Sequence, residues 1–150
     1  SKTDGGGGAR AVTVGSAVVD IIAVVANQDI ERLTLQNTAA SFLLLEPGRK
    51  IEADSISIHT GGGAINTAVA LARLGFDTAP LVKIGHDLNA SKVLETLAAE
   101  GLDDRLVTRS KNFATGVAVM ISAHDRDASI FTFRGANTVV QLAAKARSAA

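Results

Sequence analysis

The chain has 150 residues, enough for one domain with a core of its own. Its 15 basic and 15 acidic residues cancel and all five aromatic residues are Phe, so a nucleic-acid binder's basic excess and aromatic platform are both missing. Cysteine is absent, which excludes disulfides and thiolate metal sites, and no apolar run approaches the length needed to span a bilayer. The opening SKTDGGGGAR lacks the apolar centre of a secretory signal. It reads as a flexible tail over residues 1–10, and a cytoplasmic protein is the default expectation.

In chain order, Ala11 to Val14 is a short β-branched run closed by Gly15-Ser16, which predicts a first strand and a turn. The apolar run VVDIIAVV, Val18 to Val25, follows with Asp20 inside it. Residues 27–41 are polar and suit either one short helix or an extended excursion. From Phe42 the chain offers a brief apolar strand candidate, a Pro47-Gly48 turn, and an alternating segment from Ile51 to His59. There Ile56 and Ile58 alternate with Ser55, Ser57 and His59, a pattern that suits a strand with one covered face.

The stretch TGGGAINTAVALARLG, residues 60–75, runs three glycines into a helix. Ile65, Ala68, Val69 and Ala72 form its apolar stripe, and Gly75 stands where a helix stops. APLVKIG (79–85) predicts a buried strand, and residues 87–100 a second helix with Leu94, Leu97 and Ala98 on one side, ended by Gly101. Asp87 is placed to cap that helix. Thr115 to Ser122 and Ala128 to Phe133 predict a hairpin turning at HDRD, and the closing QLAAKARSAA has high helix propensity without a cap. This order implies an α/β core with a parallel sheet, built from residues 11–21 and 60–114. The strand-rich segments 22–59 and 115–134 fit that rhythm poorly and imply a small appended β-sheet.

Glycines before a helix bring backbone N–H groups and a positive dipole end toward a ligand. The spacing argues against a nucleotide, however. A dinucleotide fingerprint starting at Gly61 needs glycine or alanine where Asn66 stands, and no P-loop run occurs. Spacing alone favours plain helix–sheet packing. Two polar residues pull the other way. Asp20 lies in an apolar run, where an unpaired carboxylate is costly, and Asn66 sits in the first turn of an aliphatic helix. Together they suit a ligand rich in hydroxyls, or else a turn cap and a local backbone bond. Residue types alone leave that choice open.

The run GGAINTAVALARLGFDTAPLVKIG, Gly62 to Gly85, resembles the first signature of the PfkB (ribokinase-like) carbohydrate and nucleoside kinases. VTVGSAVVDIIAVV resembles the opening strand of that family with its substrate aspartate, and TGVAVMISAHDRDASIFTFRGAN (115–137) its lid strands. The resemblance covers residues 11 to 138. It implies a Rossmann-like ribokinase fold, here in part, with a β-sheet lid, and transfer of the ATP γ-phosphoryl group to a sugar or nucleoside hydroxyl. Carried over by residue, Asp20 and Asn66 would bond substrate hydroxyls, while Gly62 and Gly63 would let the substrate lie against the main chain. The glycines would then make room for a polyol rather than a phosphate. ATP and Mg²⁺ are the implied cofactors, with their binding residues outside this chain.

Departures from the pattern are also plain. Ala64 stands for a further glycine, and Ala90 replaces the glycine usual after the Gly-x-Asp of residues 85–87. The long excursion 22–59 is similar to the larger lid of adenosine-kinase-like members. No Gly-x-Gly-Asp, the family's catalytic segment, occurs in the 150 residues, so the chain read alone would bind substrate without turning it over. Residues 135–150 would begin the family's second half or form a tail. The alternative is a non-catalytic paralogue that binds a polyol or forms a homodimer through its lid edges. His59, His86 and His124 are dispersed and read as surface or strand-end residues, as does Arg134, and Lys83 as a snorkelling strand residue.

Overall fold

The computed structural model describes residues 9–26, 31–32, 43–44, 47–48, 50–123 and 128–141. In chain order its elements are β1 (Arg10–Val14), β2 (Val18–Val25), β3 (Glu31–Arg32), β4 (Leu43–Leu44), β5 (Ala53–Gly61) and α1 (Gly63–Arg73). There follow β6 (Asp77–Ile84), α2 (Leu88–Ala99), β7 (Val107–Arg109), β8 (Gly116–Ala123), β9 (Ala128–Phe133) and a 3-10 turn over Gly135–Val139. The chain divides into two units. One comprises Ser1–Val19, Thr60–Val117 and Phe133–Ala150; the other comprises Asp20–His59 and Ala118–Thr132.

The first unit is the α/β core. Its sheet has the order β1-β6-β7 and is parallel throughout, with Val14 opposite Leu81 and Val82 opposite Val107. A central parallel strand is covered on both faces, and β6 is accordingly buried from Thr78 to Val82 and again at Ile84. Lys83 interrupts this run, and its ammonium reaches out to the Val139 carbonyl at 3.4 Å. Ile65 of α1 and Val93 and Leu97 of α2 join Val82 and Ile84 among the fully buried side chains. The expected stripe of α1 is only partly realised: Ile65 and Ala68 are buried, while Val69 and Ala72 are half-buried.

Both helices end in the same way. After α1 the Gly75 amide donates to the Ala72 carbonyl and Phe76 to Leu71; after α2, Gly101 donates to Ala98 and Leu102 to Leu97. Gly75 and Gly101 take positive φ, 92° and 66°, which this double closure requires and glycine alone adopts freely. Arg73 and Glu100, at the two helix ends, join through a forked guanidinium–carboxylate contact. Sequence periodicity did not anticipate β7. Three residues carry no period, and this strand exists because β6 offers a parallel edge to pair with.

The second unit is a β-sheet in the order β5-β2-β8-β9, together with the antiparallel pair β3–β4. The alternation of β5 is present as expected, but its covering is not. Ile56 and Ile58 are 67% and 54% exposed, and so are Ile130 (59%) and Phe131 (56%) of β9. Period-two patterning says which residues share a face, not what lies over it. β8 and β9 are neighbours, as the hairpin expectation requires. The HDRD turn, most of the excursion 27–41, residues 1–8 and the C-terminal segment 142–150 lie outside the described residues. Among the described residues no helix is long and apolar enough to cross a membrane.

Candidate substrate-binding site

The glycine turn sits at the start of α1, in the first unit, and its geometry separates Gly62 from Gly63. Gly62 has φ 97° and ψ 148°, a conformation that side-chain-bearing residues rarely adopt. A Cβ there would also lie 2.5 Å from the Ser16 carbonyl oxygen. The close approach at Gly62 is therefore made by the chain's own β1–β2 turn, and this glycine is needed for packing. Around Gly63 the opposite holds. A Cβ would meet nothing within 4 Å, and the residue is exposed.

Ser16 also satisfies the first turn of α1. Its hydroxyl accepts from the Gly63 amide at 3.0 Å and its carbonyl from the Ala64 amide at 3.3 Å. These are donors that a helix start otherwise leaves orphaned. Thr13 of β1 donates to the Ala64 carbonyl at 2.9 Å, so the strand, the turn and the helix form one braced corner. Asn66 projects from that corner. Its amide N–H closes the helix on the Gly62 carbonyl, while its side chain is exposed and makes no hydrogen bond to any described residue.

Asn137 braces the same turn from the other side. Its carboxamide accepts from the Ala17 amide and donates to the Ala17 carbonyl, both at 2.9 Å. Gly116 leaves room for it, since a Cβ there would lie 2.3 Å from the Asn137 nitrogen. A further clasp joins Asp87 to the foot of β8. One Asp87 oxygen caps α2 at the Ala90 amide (2.9 Å), and the other accepts from the Thr115 amide (2.8 Å). The Thr115 hydroxyl in turn accepts from the Gly85 amide. Burial pushes the Asp87 carboxyl up, but the bonds from Thr115 and Ala90 and the nearby Arg109 outweigh it and hold it below the usual carboxylate range.

Asp20 belongs to the second unit, on β2. It is half-buried, and its carboxyl makes no hydrogen bond to a described residue. Burial raises its pKa above the ordinary value, an effect that His59 on β5 partly offsets. Of the four residues expected at the site, the structure thus places Gly62, Gly63 and Asn66 together at the α1 start, and Asp20 on a strand of the other unit beside His59.

Sequence reading missed the roles of Ser16 and Asn137. Ser16 read only as part of a turn, and Asn137 appeared in the quoted Gly-Ala-Asn with no role, because neither bond leaves a local pattern. Asp87 was read as a helix cap, and it is one; its second bond, 28 residues along the chain, was not legible. An open cleft of about 450 Å³ lies at His86, Asp87, Leu88, Ser91 and Arg109. The helix start inside it is already taken by the Asp87 carboxylate, so it is ill suited to a phosphate. Among the described residues no group of three or more His, Asp or Glu is placed to hold a metal.

A parallel α/β sheet, a glycine turn opening a helix and a separate β-sheet make up a Rossmann-like α/β architecture of the ribokinase type. The chain belongs to the pfkB family of carbohydrate kinases, whose model matches residues 9–149. It is similar to a deoxyribokinase of Salmonella typhi, 28% identical over 116 residues, or 77% of this chain and 36% of the relative. A ribokinase of Haemophilus influenzae is 32% identical over 93 residues, 62% of this chain and 30% of that protein. Among solved structures, an Arabidopsis thaliana ribokinase complexed with ribose and ATP superposes with a TM-score of 0.70 at 26% identity, over 87% of this chain and 37% of that one. The chain thus spans roughly a third of the length of these relatives.

Proposed function

We propose that the chain is the substrate-binding part of an ATP-dependent kinase acting on a hydroxyl of a sugar or nucleoside. The observation that carries this reading is the start of α1, where an open main chain at Gly63 adjoins the uncommitted carboxamide of Asn66. Exposed backbone and an amide able both to donate and to accept suit a neutral polyol. Asp20, a half-buried carboxylate without a hydrogen-bond partner among the described residues, supplies an acceptor-only group for further hydroxyls. Gly62 contributes indirectly, by letting Ser16 hold the turn in place. Relatives named ribokinase and deoxyribokinase support a pentose as the first substrate to try.

In this reading Asn66 binds and orients the polyol and Gly63 leaves space for it, while Asp20, on its own unit, is proposed as a further substrate-binding residue. ATP with Mg²⁺ supplies the phosphoryl group, and we place the base, the anion hole and the nucleotide pocket on chain beyond the 150 residues. The test is to join the chain to the C-terminal two thirds of a ribokinase relative and follow ADP release with ribose, 2-deoxyribose, fructose and adenosine. Turnover with at least one of them is expected. Silence with all four, in a fusion that folds, counts against the reading.

A second reading has its own observation. Ile56, Ile58, Ile130 and Phe131 leave apolar surface exposed on both outer strands of the second unit. Such strands invite association, so a homodimer formed through this sheet is proposed beside the kinase reading, or in place of catalysis. Sedimentation of the purified chain decides it: a strictly monomeric species at micromolar concentration speaks against pairing.

A further inference from the structure

Ala17 directly follows Ser16 in the β1–β2 turn and is fully buried, so its amide and carbonyl are cut off from water. Buried backbone groups need partners, and one side chain supplies both: Asn137, 120 residues along the chain. A carboxamide suits this double task because it carries an acceptor and a donor side by side. Among the described residues little else holds the turn to its sheet. The Gly15 amide reaches the Leu81 carbonyl only at 3.4 Å, and both Ser16 oxygens are taken by the Gly63 and Ala64 amides of α1.

Asn137 is itself firmly held. The Ala136 amide donates to the Ala114 carbonyl at 2.7 Å, Ala136 is fully buried, and a Cβ on Gly135 (φ 50°) would run into that same carbonyl. Gly116 is bare where a Cβ would come within 3.1 Å of the Ala17 carbonyl oxygen. Residues 114–116 are fixed in turn by Asp87, at the Thr115 amide, and by the bond from the Gly85 amide to the Thr115 hydroxyl. A continuous path of contacts thus runs from the start of α2, through residues 114–116 and Asn137, to Ser16 and Gly63 at the start of α1. All of it lies within the α/β unit.

We propose that Asn137 is a positioning residue for the polyol site. It acts through other residues: it fixes Ala17, and thereby the Ser16 oxygens that set the Gly63 main chain and the helix turn from which Asn66 projects. The inference rests on the kinase reading above and adds to it a residue that governs affinity from outside the site. A small displacement of the turn is enough, because binding groups must be held within about 0.5 Å of their productive geometry.

The experiment is calorimetric titration of the 150-residue chain with ribose at pH 7.5, for wild type, Asn137→Ala and Thr138→Ala, each well below its unfolding temperature, with amide NMR of the same samples. Thr138→Ala is the control, since it removes a bond to the Gly135 carbonyl inside the same 3-10 turn and none to Ala17. Asn137→Ala is expected to bind ribose about tenfold more weakly and to shift the Gly63 amide resonance, while Thr138→Ala keeps wild-type affinity. Where Asn137→Ala does not fold, Asn137→Asp takes its place. Its carboxylate still accepts from the Ala17 amide but cannot donate to the carbonyl, whereas the acid form does both. Its affinity relative to wild type should be low at pH 7.5 and recover toward pH 5. A lowered Tm with unchanged ribose affinity, an equal loss in Thr138→Ala, an unmoved Gly63 resonance, or no recovery of Asn137→Asp on acidification overturns the role of Asn137 and leaves the sugar site standing. If the wild type takes up no ribose, fructose or adenosine at pH 7.5, the sugar-site reading falls and this inference falls with it.

Discussion

The two units bury their apolar residues to very different degrees. In the α/β unit Ile65, Val82, Ile84, Val93 and Leu97 are fully buried, around a sheet whose middle strand is covered on both faces. In the β unit Ile56, Ile58, Ile130 and Phe131 are each more than half exposed. The first unit is also tied by bonds between distant segments, Asp87 to Thr115 and Asn137 to Ala17. Exposed apolar side chains occur in the α/β unit too, at Leu74 and Leu88, but among the described residues the large fully buried ones gather there, while those of the outer strands of the β unit stay exposed.

The sharpest break in this comparison comes from the two glycines. Gly62→Ala must adopt a φ near 97° and push against the Ser16 carbonyl, and should cost about 3 kcal/mol. Gly63→Ala meets nothing, so its stability should stay within about 0.5 kcal/mol of wild type. Its methyl group nonetheless enters the space proposed for the polyol. Chemical denaturation should therefore separate the two variants strongly, while ribose titration of the folded Gly63→Ala variant should show weakened binding.

Asp87 comes next. Replacing it by alanine removes a helix cap and leaves the amide of the fully buried Thr115 without its partner, a loss of about 2 kcal/mol. The native carboxyl is held below its unfolded value of about 3.9. Its contribution is thus complete above that value and disappears as pH falls through the lower, native one. Denaturation midpoints measured from pH 5 down to pH 2 should fall more steeply for wild type than for Asp87→Ala.

The smallest effect is expected in the β unit. Ile58→Ser removes a side chain that is 54% exposed and should change stability by no more than about 0.5 kcal/mol. If a homodimer forms through this face, sedimentation of Ile58→Ser should show it weakened with the monomer fold intact. A loss of several kcal/mol in a monomeric protein would mean that the β unit has a core of its own at this position, and the contrast between the units would fail.

Much of the α/β unit was legible because its signals are local. The stripe on α1, the glycines after both helices, the cap at Asp87 and the apolar run of β6 each follow from a few consecutive residues. β7 was not legible, since a three-residue strand is made by its partner. The corner around Ser16 was hidden for the same reason: whether Gly62 serves a ligand or the chain depends on a carbonyl 46 residues away in sequence. The plainer reading of the glycines, close packing, holds for Gly62, whereas Gly63 has open space beside it. For the β unit the alternation of Ile56 and Ile58 was visible, yet nothing in a period of two says whether a face is covered.

The central claim is that Asp20 is kept half-buried and unbonded for a substrate hydroxyl. Its raised carboxyl lowers stability as pH rises toward and through the native value, so at neutral pH the charge works against folding. Asp20→Asn should accordingly fold with a Tm no lower than wild type. Calorimetric titration of this variant with ribose at pH 7.5, beside the wild type, is the direct measurement. The account predicts heat of binding for the wild type and none for the variant; binding that survives Asp20→Asn unchanged would contradict it.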